Sequence, residues 1–289
     1  MLPPAARALV RTAAEFLNGI LASSVPAHPQ SHFYSAFLHA QGRVLYDTFV
    51  YSQPTASGKQ GYLIEYDARP SEAPPLLPTL KKYVLRSKVK IRNVSEEYDG
   101  EKAWETQRRW LHASSGAIEP VYLLHRITHG VPEGSTDIVP MQAFPMESNL
   151  DVMGALDFRK GCFVGQELTV RTYHTGIIRK RILPVLIEPS SGSASPSEEA
   201  PSFPSDLDIR AQRAEVDDGT PKPRPRGTGK LLSSTKGVGL ALLRLEHVAA
   251  AENGTAVFEM EVGEEHKTKW KVTPWWPDWW PRMPENQQV

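Results

Sequence analysis

The chain contains one cysteine, Cys162, within residues 158–167, whose sequence is FRKGCFVGQE. Lys160 precedes the thiol by two residues, and the run that begins at Gly165 is typical of the start of a helix. A cation and the positive end of a helix both favour the thiolate, the form of cysteine that acts as a nucleophile and binds metals. The segment therefore indicates a reactive or metal-binding thiol. The alternative is a small buried hydrophobic residue, since free cysteines are often buried.

The residues beside the cysteine predict a tight turn followed by this helix. Gly161 is expected to adopt a positive φ, as a tight turn needs. Glu167 falls in the first helical turn, where an acidic residue is favourable. Arg171 follows it by four residues, so the two side chains are expected to pair along one helix face. One interpretation of both residues is this structural pair, and the other is a role beside the thiol.

A second polar residue interrupts an apolar pattern. Residues 33–40 and 43–51 predict a β-hairpin around a Gln-Gly turn. In its second arm, Asp47 alternates with residues that are apolar or aromatic, although carboxylates are rarely buried. Asp47 is therefore expected either at the rim of a sheet or beside an arginine, or facing a ligand pocket.

Composition excludes several classes of protein. The 33 basic and 33 acidic residues cancel, so nothing indicates a nucleic-acid partner. A single cysteine excludes an internal disulfide, which joins two cysteines. It also excludes a self-contained iron–sulfur or structural zinc site, because each needs several ligands. The nine histidines show no H-x-x-H or H-E-x-x-H spacing, so no autonomous metal site is expected. No apolar run approaches the roughly 20 residues of a membrane span.

Hydrophobic periodicity predicts a mixed fold with a β-rich C-terminal part. Helices are predicted over 15–21, 75–86, 150–156 and 165–173. Strands are predicted over 8–10, the hairpin, 61–66, 89–94, 102–106, 121–127, 179–187, 229–232, 238–245, 256–262 and 269–272. Residues 188–228 are rich in proline, serine and charge, and predict a flexible insert. The tryptophan-rich residues 274–281 are expected either to fold back on the C-terminal domain or to expose a binding patch.

The cysteine segment resembles a known family signature. The sequence KGCFVGQE, preceded by ESNLD at 147–151 and followed by Arg171, is similar to that of the YgfZ family. These are folate-binding-type proteins related to the aminomethyltransferase of the glycine cleavage system. The segments QGRVLYD at 41–47, GVPEG at 130–134 and GLALLR at 239–244 fall in the family's order. Within the family, the chain most resembles the mitochondrial branch that serves iron–sulfur cluster assembly.

The resemblance implies an α+β, three-domain aminomethyltransferase-like fold. Antiparallel sheets with flanking helices would surround a central opening, and a β-barrel would follow at the C-terminus. Domain 1 is expected over 1–51 and 119–176 and carries the cysteine, domain 2 covers 52–118, and the barrel domain covers 177–289 with its insert at 188–228.

The resemblance also implies roles for particular residues. The signature residues Lys160, Gly161, Gly165, Gln166, Glu167 and Arg171 are expected to position Cys162 and tune its charge. Arg43, Tyr46 and Asp47 are the candidates for a folate pocket. In the transferase relatives an acidic pair follows the hairpin glycine, and here Tyr46 replaces one of the acids, which argues against aminomethyl transfer.

Two functions follow from the resemblance. In the first, the protein is an assembly factor rather than an enzyme, a monomer on its own that acts with A-type scaffold proteins to make [4Fe-4S] clusters, and Cys162 ligates a shared cluster. In the second, it is a tetrahydrofolate-dependent one-carbon transferase. A further alternative is a folate-binding scaffold whose cysteine is only structural. The family branch implies the mitochondrial matrix, with a transit peptide removed. The first eleven residues have two arginines and no acid, and are expected to be a remnant of that peptide.

Overall fold

The computed structural model describes residues 5–11, 13–27, 32–54, 60–85, 87–97, 118–190, 201–213, 228–263 and 268–281. The chain forms two compact units. Unit 1 comprises Met1–Ile118 and Glu133–Ile177, and unit 2 comprises Glu119–Pro132 and Ile178–Val289. No helix in the described ranges is long and apolar enough to cross a bilayer.

Unit 1 is built on an antiparallel sheet of five strands in the order β2-β3-β4-β1-β5. The strands are β1 (Ala5–Arg11), β2 (His32–Leu38), β3 (Val44–Pro54), β4 (Gln60–Asp67) and β5 (Lys90–Asn93). Helices α1 (Ala14–Ile20) and α2 (Leu76–Val84) pack on this sheet, because their apolar residues recur at helical spacing and meet the alternate apolar residues of the strands. Leu17, Leu76 and Leu80 are at most 1% exposed at this junction.

Unit 2 is a closed antiparallel barrel with the strand order β10-β11-β6-β9-β8-β7. Its strands are β6 (Lys180–Pro189), β7 (Asp208–Arg213), β8 (Gly229–Thr235), β9 (Val238–Arg244), β10 (Ala256–Val262) and β11 (Thr268–Pro274). Closure pairs β10 with both β7 and β11, so within the described residues each barrel strand has a neighbour on both sides. Helix α3 (Ile118–Thr128) packs on the barrel through Ile127, which lies against Ile182 and Leu240.

Two predicted elements differ in the structure, and one helix was not predicted. Residues 121–127, expected as a strand, form helix α3, because Leu123 and Ile127 lie one turn apart on the face that packs on the barrel. Residues 150–156, expected as a helix, form turns, and both Asn149 and Gly154 have a positive φ, which interrupts a helix. A helix that was not predicted, α6 (Leu245–Glu252), follows β9. The strand expected at 102–106 lies outside the described residues.

The prediction of a flexible insert over 188–228 is wrong for residues 201–213, and also at both of its ends, where residues 188–190 bond to β11 and Thr228 is buried. Strand β7 pairs with β8 and β10 and completes the barrel, and Ile209 is fully buried in its core. Phe203 packs edge-on against Trp270 at a centroid distance of 4.9 Å. The alternation of Leu207, Ile209 and Ala211 was the available signal, but it was masked by the proline-rich composition on either side. The remainder of the insert, 191–200 and 214–227, lies outside the described residues.

The domain boundaries also fall differently from those expected. Residue 51 lies inside β3, and strands from both expected N-terminal domains share one sheet. Residues 119–132, expected in domain 1, belong to the barrel unit. Sequence composition could not show this, because a sheet that draws strands from distant segments leaves no change of composition at its internal borders.

The tryptophan-rich tail folds back on its own unit, which confirms one of the two expectations for it. The Trp276 indole donates a hydrogen bond to Glu252 at 2.7 Å, and the Trp280 ring lies 5.5 Å from the Arg181 guanidinium. The tail therefore covers part of the barrel, although Trp276 and Trp279 keep 38% and 37% of their surface exposed.

A 3-10 helix and two α-helices complete the described elements of unit 1. A 3-10 helix covers Ser95–Glu97 after β5. Helix α4 (Gly134–Asp137) is a single turn, and helix α5 (Gln166–Thr175) follows the cysteine segment. Between them the chain is a succession of turns, as expected for residues 132–148.

Candidate functional site

Cys162 is exposed, on a loop that leads into helix α5. The alternative of a buried structural thiol is therefore wrong. The next residue, Phe163, is only 7% exposed, so the chain turns from surface to interior within one residue. The thiol is thus presented at the surface by a loop whose neighbouring side chain is anchored in unit 1.

Two glycines hold the start of α5 against the β2–β3 hairpin. Gly165 has φ +81°, and a Cβ at this position would lie 2.4 Å from the carbonyl oxygen of His39 and 2.8 Å from Cβ of Leu38. Gly42, in the hairpin turn, also has φ +81°, and a Cβ there would lie 3.2 Å from the carbonyl oxygen of Gly165. Only glycine combines this backbone conformation with so close an approach.

Gly161 behaves differently from the expectation. It does not adopt a positive φ, and a Cβ at this position would meet nothing within 4 Å. The turn after Cys162 is made instead by Gly165. The space beside the Gly161 Cα, directly before the thiol, is therefore open.

Gln166 fixes the backbone beside the thiol. Its side-chain oxygen accepts a hydrogen bond from the Phe163 amide at 3.1 Å, across the turn that precedes α5. Thr169, fully buried in the same helix, donates to the carbonyl of Gly165 at 3.3 Å. Both contacts keep the loop and the helix in one arrangement.

Lys160 anchors the other side of the loop. Its ammonium donates to the carbonyls of Leu21 and Ser23 at 2.7 and 2.8 Å, just beyond the end of α1, and lies 5.0 Å from the centroid of the Phe163 ring. Burial lowers the pKa of Lys160 to about 8, although the nearby Asp157 carboxylate opposes this. The cation is directed at two backbone carbonyls, and this gives Lys160 a positioning role.

Asp157 is a further anchor that the sequence did not reveal. Its carboxylate accepts hydrogen bonds from the Ser24 hydroxyl at 2.5 Å and from the Arg159 amide at 2.9 Å. The bond from Ser24 lowers the pKa of Asp157 most, and burial only partly offsets it. A carboxylate directly before an aromatic residue and two cations gave no distinctive signal, because its partner lies far away in the chain.

The N-terminal end of the loop packs on helix α5. The ring of Phe158 stacks on that of Tyr173 with centroids 3.8 Å apart and planes 11° apart. Glu167 and Arg171 are exposed on this helix, and within the described residues they do not form the ion pair expected of them. Their charges therefore face solvent on the same element as the thiol loop.

Asp47 is buried in strand β3, opposite Ala36, with 7% of its surface exposed. It accepts hydrogen bonds from the Gly134 amide at 3.0 Å and the Tyr34 hydroxyl at 3.2 Å. Burial raises the pKa of Asp47 to about 6, the negative charge of Glu133 adds to the rise, and the two hydrogen bonds oppose it. Among the described residues, Asp47 thus lies neither at the sheet rim nor in a contact with an arginine, and its bond from the Gly134 amide fixes the start of α4.

The other folate-pocket candidates also bond to groups of the chain itself. The Tyr46 hydroxyl donates to the Pro74 carbonyl at 3.1 Å, and Arg43 donates to the Gln142 carbonyl at 3.0 Å. All three candidates lie in unit 1, Tyr46 and Asp47 in strand β3 and Arg43 directly before it.

A neighbouring polar network was missed by the sequence reasoning. Asp67, at the end of β4, accepts hydrogen bonds from the Arg69 guanidinium at 2.6 Å and from both the amide and the hydroxyl of Ser135 at 2.8 and 2.7 Å. Arg69 also donates to Thr136 at 2.7 Å. Although burial opposes it, these bonds lower the pKa of Asp67. The network, with Asp47, ties the 134–136 segment to the sheet.

The chain is similar to known proteins in sequence and in fold. A family model described as the CAF17 C-terminal β-barrel domain matches residues 179–282. The chain is 35% identical to the "iron-sulfur cluster assembly factor IBA57 homolog, mitochondrial" of Pyricularia oryzae, covering 92% of this chain and 80% of the relative. It is 33% identical to the homologue of the same name from Mycosarcoma maydis, covering 96% and 84%.

The chain belongs to the IBA57 family. The resemblance of the cysteine segment to the YgfZ family and its mitochondrial branch is confirmed. A crystal structure of the glycine cleavage system aminomethyltransferase T from Bartonella henselae is also similar, with a TM-score of 0.62 and 12% identity over 94% of this chain and 83% of the other. At that identity the likeness shows the fold alone, and it confirms the aminomethyltransferase-like fold with a C-terminal barrel.

Proposed function

We propose that this protein is a mitochondrial iron–sulfur cluster assembly factor in which Cys162 supplies one thiolate ligand to a cluster shared with a partner protein. The names of its IBA57 relatives support the process and the organelle. The observation that carries the proposed role of the residue is the exposure of the single thiol on a loop held from both sides.

Sharing of the cluster follows from ligand number. Iron–sulfur clusters are held by about four protein ligands, usually thiolates. The described residues contain no group of three or more histidine, cysteine or acidic side chains that could hold a metal ion. With one cysteine in the chain, the remaining ligands must come from elsewhere. We infer that the partner is an A-type scaffold protein, that the product is a [4Fe-4S] cluster and that the compartment is the matrix.

Several residues around the loop hold the thiol in position. Lys160 and Gln166 hold the backbone on either side of Cys162, and Gly165 seats the helix on the hairpin. The open backbone at Gly161 leaves room for a partner beside the sulfur. A ligand held in one arrangement binds with less loss of conformational entropy than one on a free loop.

The test is anaerobic mixing of the protein with an A-type scaffold, ferrous iron and sulfide, read by visible absorbance and native mass. We expect a complex whose mass includes one cluster, and we expect Cys162→Ser to abolish it, because a hydroxyl is a poor ligand for iron in a sulfur-rich cluster. A serine variant that forms the same complex would remove Cys162 from the role.

Folate binding stays a prediction. The three candidate side chains each make hydrogen bonds within the chain, and the Asp47 carboxylate already receives two donors. These contacts do not favour a pterin site built on Asp47, and no one-carbon step is derived from them. Calorimetry with tetrahydrofolate tests the point. Binding that weakens about tenfold in Asp47→Asn, the cost of roughly one charged hydrogen bond, would place Asp47 in the site.

A further inference from the structure

Two histidines lie side by side at the end of helix α3. His125 lies in the last turn of α3 and His129 directly follows the helix, where its amide still donates to the His125 carbonyl at 3.1 Å, so the two side chains lie on the same side. Both are exposed, and their ring centroids are 4.2 Å apart with an interplanar angle of 44°. Their H-x-x-x-H spacing matches neither of the H-x-x-H and H-E-x-x-H patterns considered for the sequence.

The His129 ring makes the kind of hydrogen bond that metal-binding histidines usually make. Its Nδ1 lies 2.8 Å from the His125 carbonyl oxygen. A carbonyl can only accept, so Nδ1 carries the proton, and in the neutral ring Nε2 keeps its lone pair. Histidines that bind metals usually donate their other N–H to a carbonyl or carboxylate, which sets the tautomer and the ring direction.

The surroundings favour a cation. The last carbonyls of a helix lack helical partners and carry the negative end of its dipole. The backbone here is also fixed, because the Trp279 indole donates to the His129 carbonyl at 2.6 Å. Gly130 packs so closely that a Cβ would lie 2.5 Å from Cγ of Pro277. The cation of this turn, Arg126, is 9% exposed and donates to the Val131 carbonyl at 2.9 Å.

We propose that His125 and His129 form a two-imidazole site for a divalent cation of the borderline class, with Zn²⁺ or Cu²⁺ preferred over Fe²⁺ or Mn²⁺. Imidazole suits these metals, and the order of stability for divalent first-row ions places Cu²⁺ and Zn²⁺ above Fe²⁺. Two protein ligands fall short of the four of a structural zinc site, so the remaining positions belong to water and the metal exchanges readily. The site lies in unit 2 and is independent of the proposed role of Cys162.

Zn²⁺ calorimetry on the full chain in a Cys162→Ser background tests the site without the thiol. We expect binding that weakens tenfold or more in His125→Asn and in His129→Asn, at least the loss that changes around metal ligands cause. His174→Asn changes an exposed histidine in unit 1 and serves as the control, and it should bind as the parent does.

A second readout uses the tryptophan at the site. Cu²⁺ should quench part of the indole fluorescence, and that part should be lost in His129→Asn and in Trp279→Phe. The proposal is overturned if both His125→Asn and His129→Asn bind Zn²⁺ as tightly as the parent. It is equally overturned if His174→Asn weakens binding as much as they do, or if Fe²⁺ binds more tightly than Zn²⁺.

Discussion

Three glycine-to-alanine variants near Cys162 separate the free-energy cost of a left-handed backbone from the cost of a steric overlap. The sequence cannot distinguish these two costs. At Gly161 the backbone has no positive φ and a Cβ would meet nothing within 4 Å. At Gly154 a Cβ would also meet nothing, but φ is +75°. At Gly165 φ is +81° and a Cβ would lie 2.4 Å from the His39 carbonyl oxygen. Gly161→Ala therefore meets neither obstacle, Gly154→Ala meets only the left-handed backbone, and Gly165→Ala meets both the left-handed backbone and the steric overlap.

The expected changes in the free energy of unfolding follow from these differences. Gly161→Ala should be neutral or stabilise the protein by up to about 1 kcal/mol, because alanine reduces the entropy of the unfolded chain. Gly154→Ala adds the left-handed conformation, which costs roughly 1–2 kcal/mol. Gly165→Ala adds to this an overlap that the backbone must relieve, typically about 1–3 kcal/mol more. We therefore expect Gly165→Ala to destabilise unit 1 by about 3 kcal/mol.

Chemical denaturation followed by circular dichroism measures these differences, and thermal melting provides a check. At roughly 2–4 °C per kcal/mol, Gly165→Ala should lower the Tm of unit 1 by about 6–12 °C. The same variant should speed proteolysis within 158–165, while Gly161→Ala should not. Equal stability of Gly161→Ala and Gly165→Ala would refute the arrangement of α5 against the hairpin.

Three further predictions concern the anchors, the buried carboxyl and the barrel. Lys160→Met removes the donor to the carbonyls beyond α1, so amide hydrogen exchange over 158–163 should become faster and the yield of the cluster complex should fall. Lys160→Arg is the milder control, and unchanged exchange in Lys160→Met would show that Lys160 does not position the loop. Because the pKa of Asp47 is raised to about 6 in the folded state, its contribution to stability is fully present below about pH 4 and is lost as the pH rises through 6. Asp47→Asn should therefore gain stability relative to the parent between pH 4 and pH 7, and a difference that does not change with pH would contradict the burial. Replacing 201–213 by a Gly/Ser linker removes β7, and we expect the Tm of the barrel unit to fall by more than about 10 °C, whereas a barrel that keeps its Tm would show that β7 is dispensable.

The parts of the fold that sequence patterns predicted are those with local causes. The β2–β3 hairpin, the Gly165 helix start and most barrel strands follow from turn residues and periodicity within a short window. The parts that sequence patterns missed depend on distant partners. Helix α3 looked like a strand because its apolar residues suit either, and only packing on Ile182 and Leu240 decides between them.

The candidate site shows the same division. The sequence singled out Cys162 and its neighbours, and the exposure of the thiol agrees with that choice. It did not show that Lys160 points to the end of α1, nor that Asp157 bonds Ser24, because both contacts join segments more than 130 residues apart. The different roles of Gly161 and Gly165 were also hidden, since a glycine in a motif does not reveal its φ.

Relocating the thiol tests the central claim most directly. The double variant Cys162→Ser/Ser87→Cys keeps one exposed thiol per chain but moves it to an exposed position after α2. Native mass spectrometry of this variant with an A-type scaffold, iron and sulfide should show no cluster-bridged complex, as in Cys162→Ser alone, while the parent forms one. A complex of parental mass and yield from the relocated thiol would show that the placement of Cys162 is irrelevant, and would contradict the account.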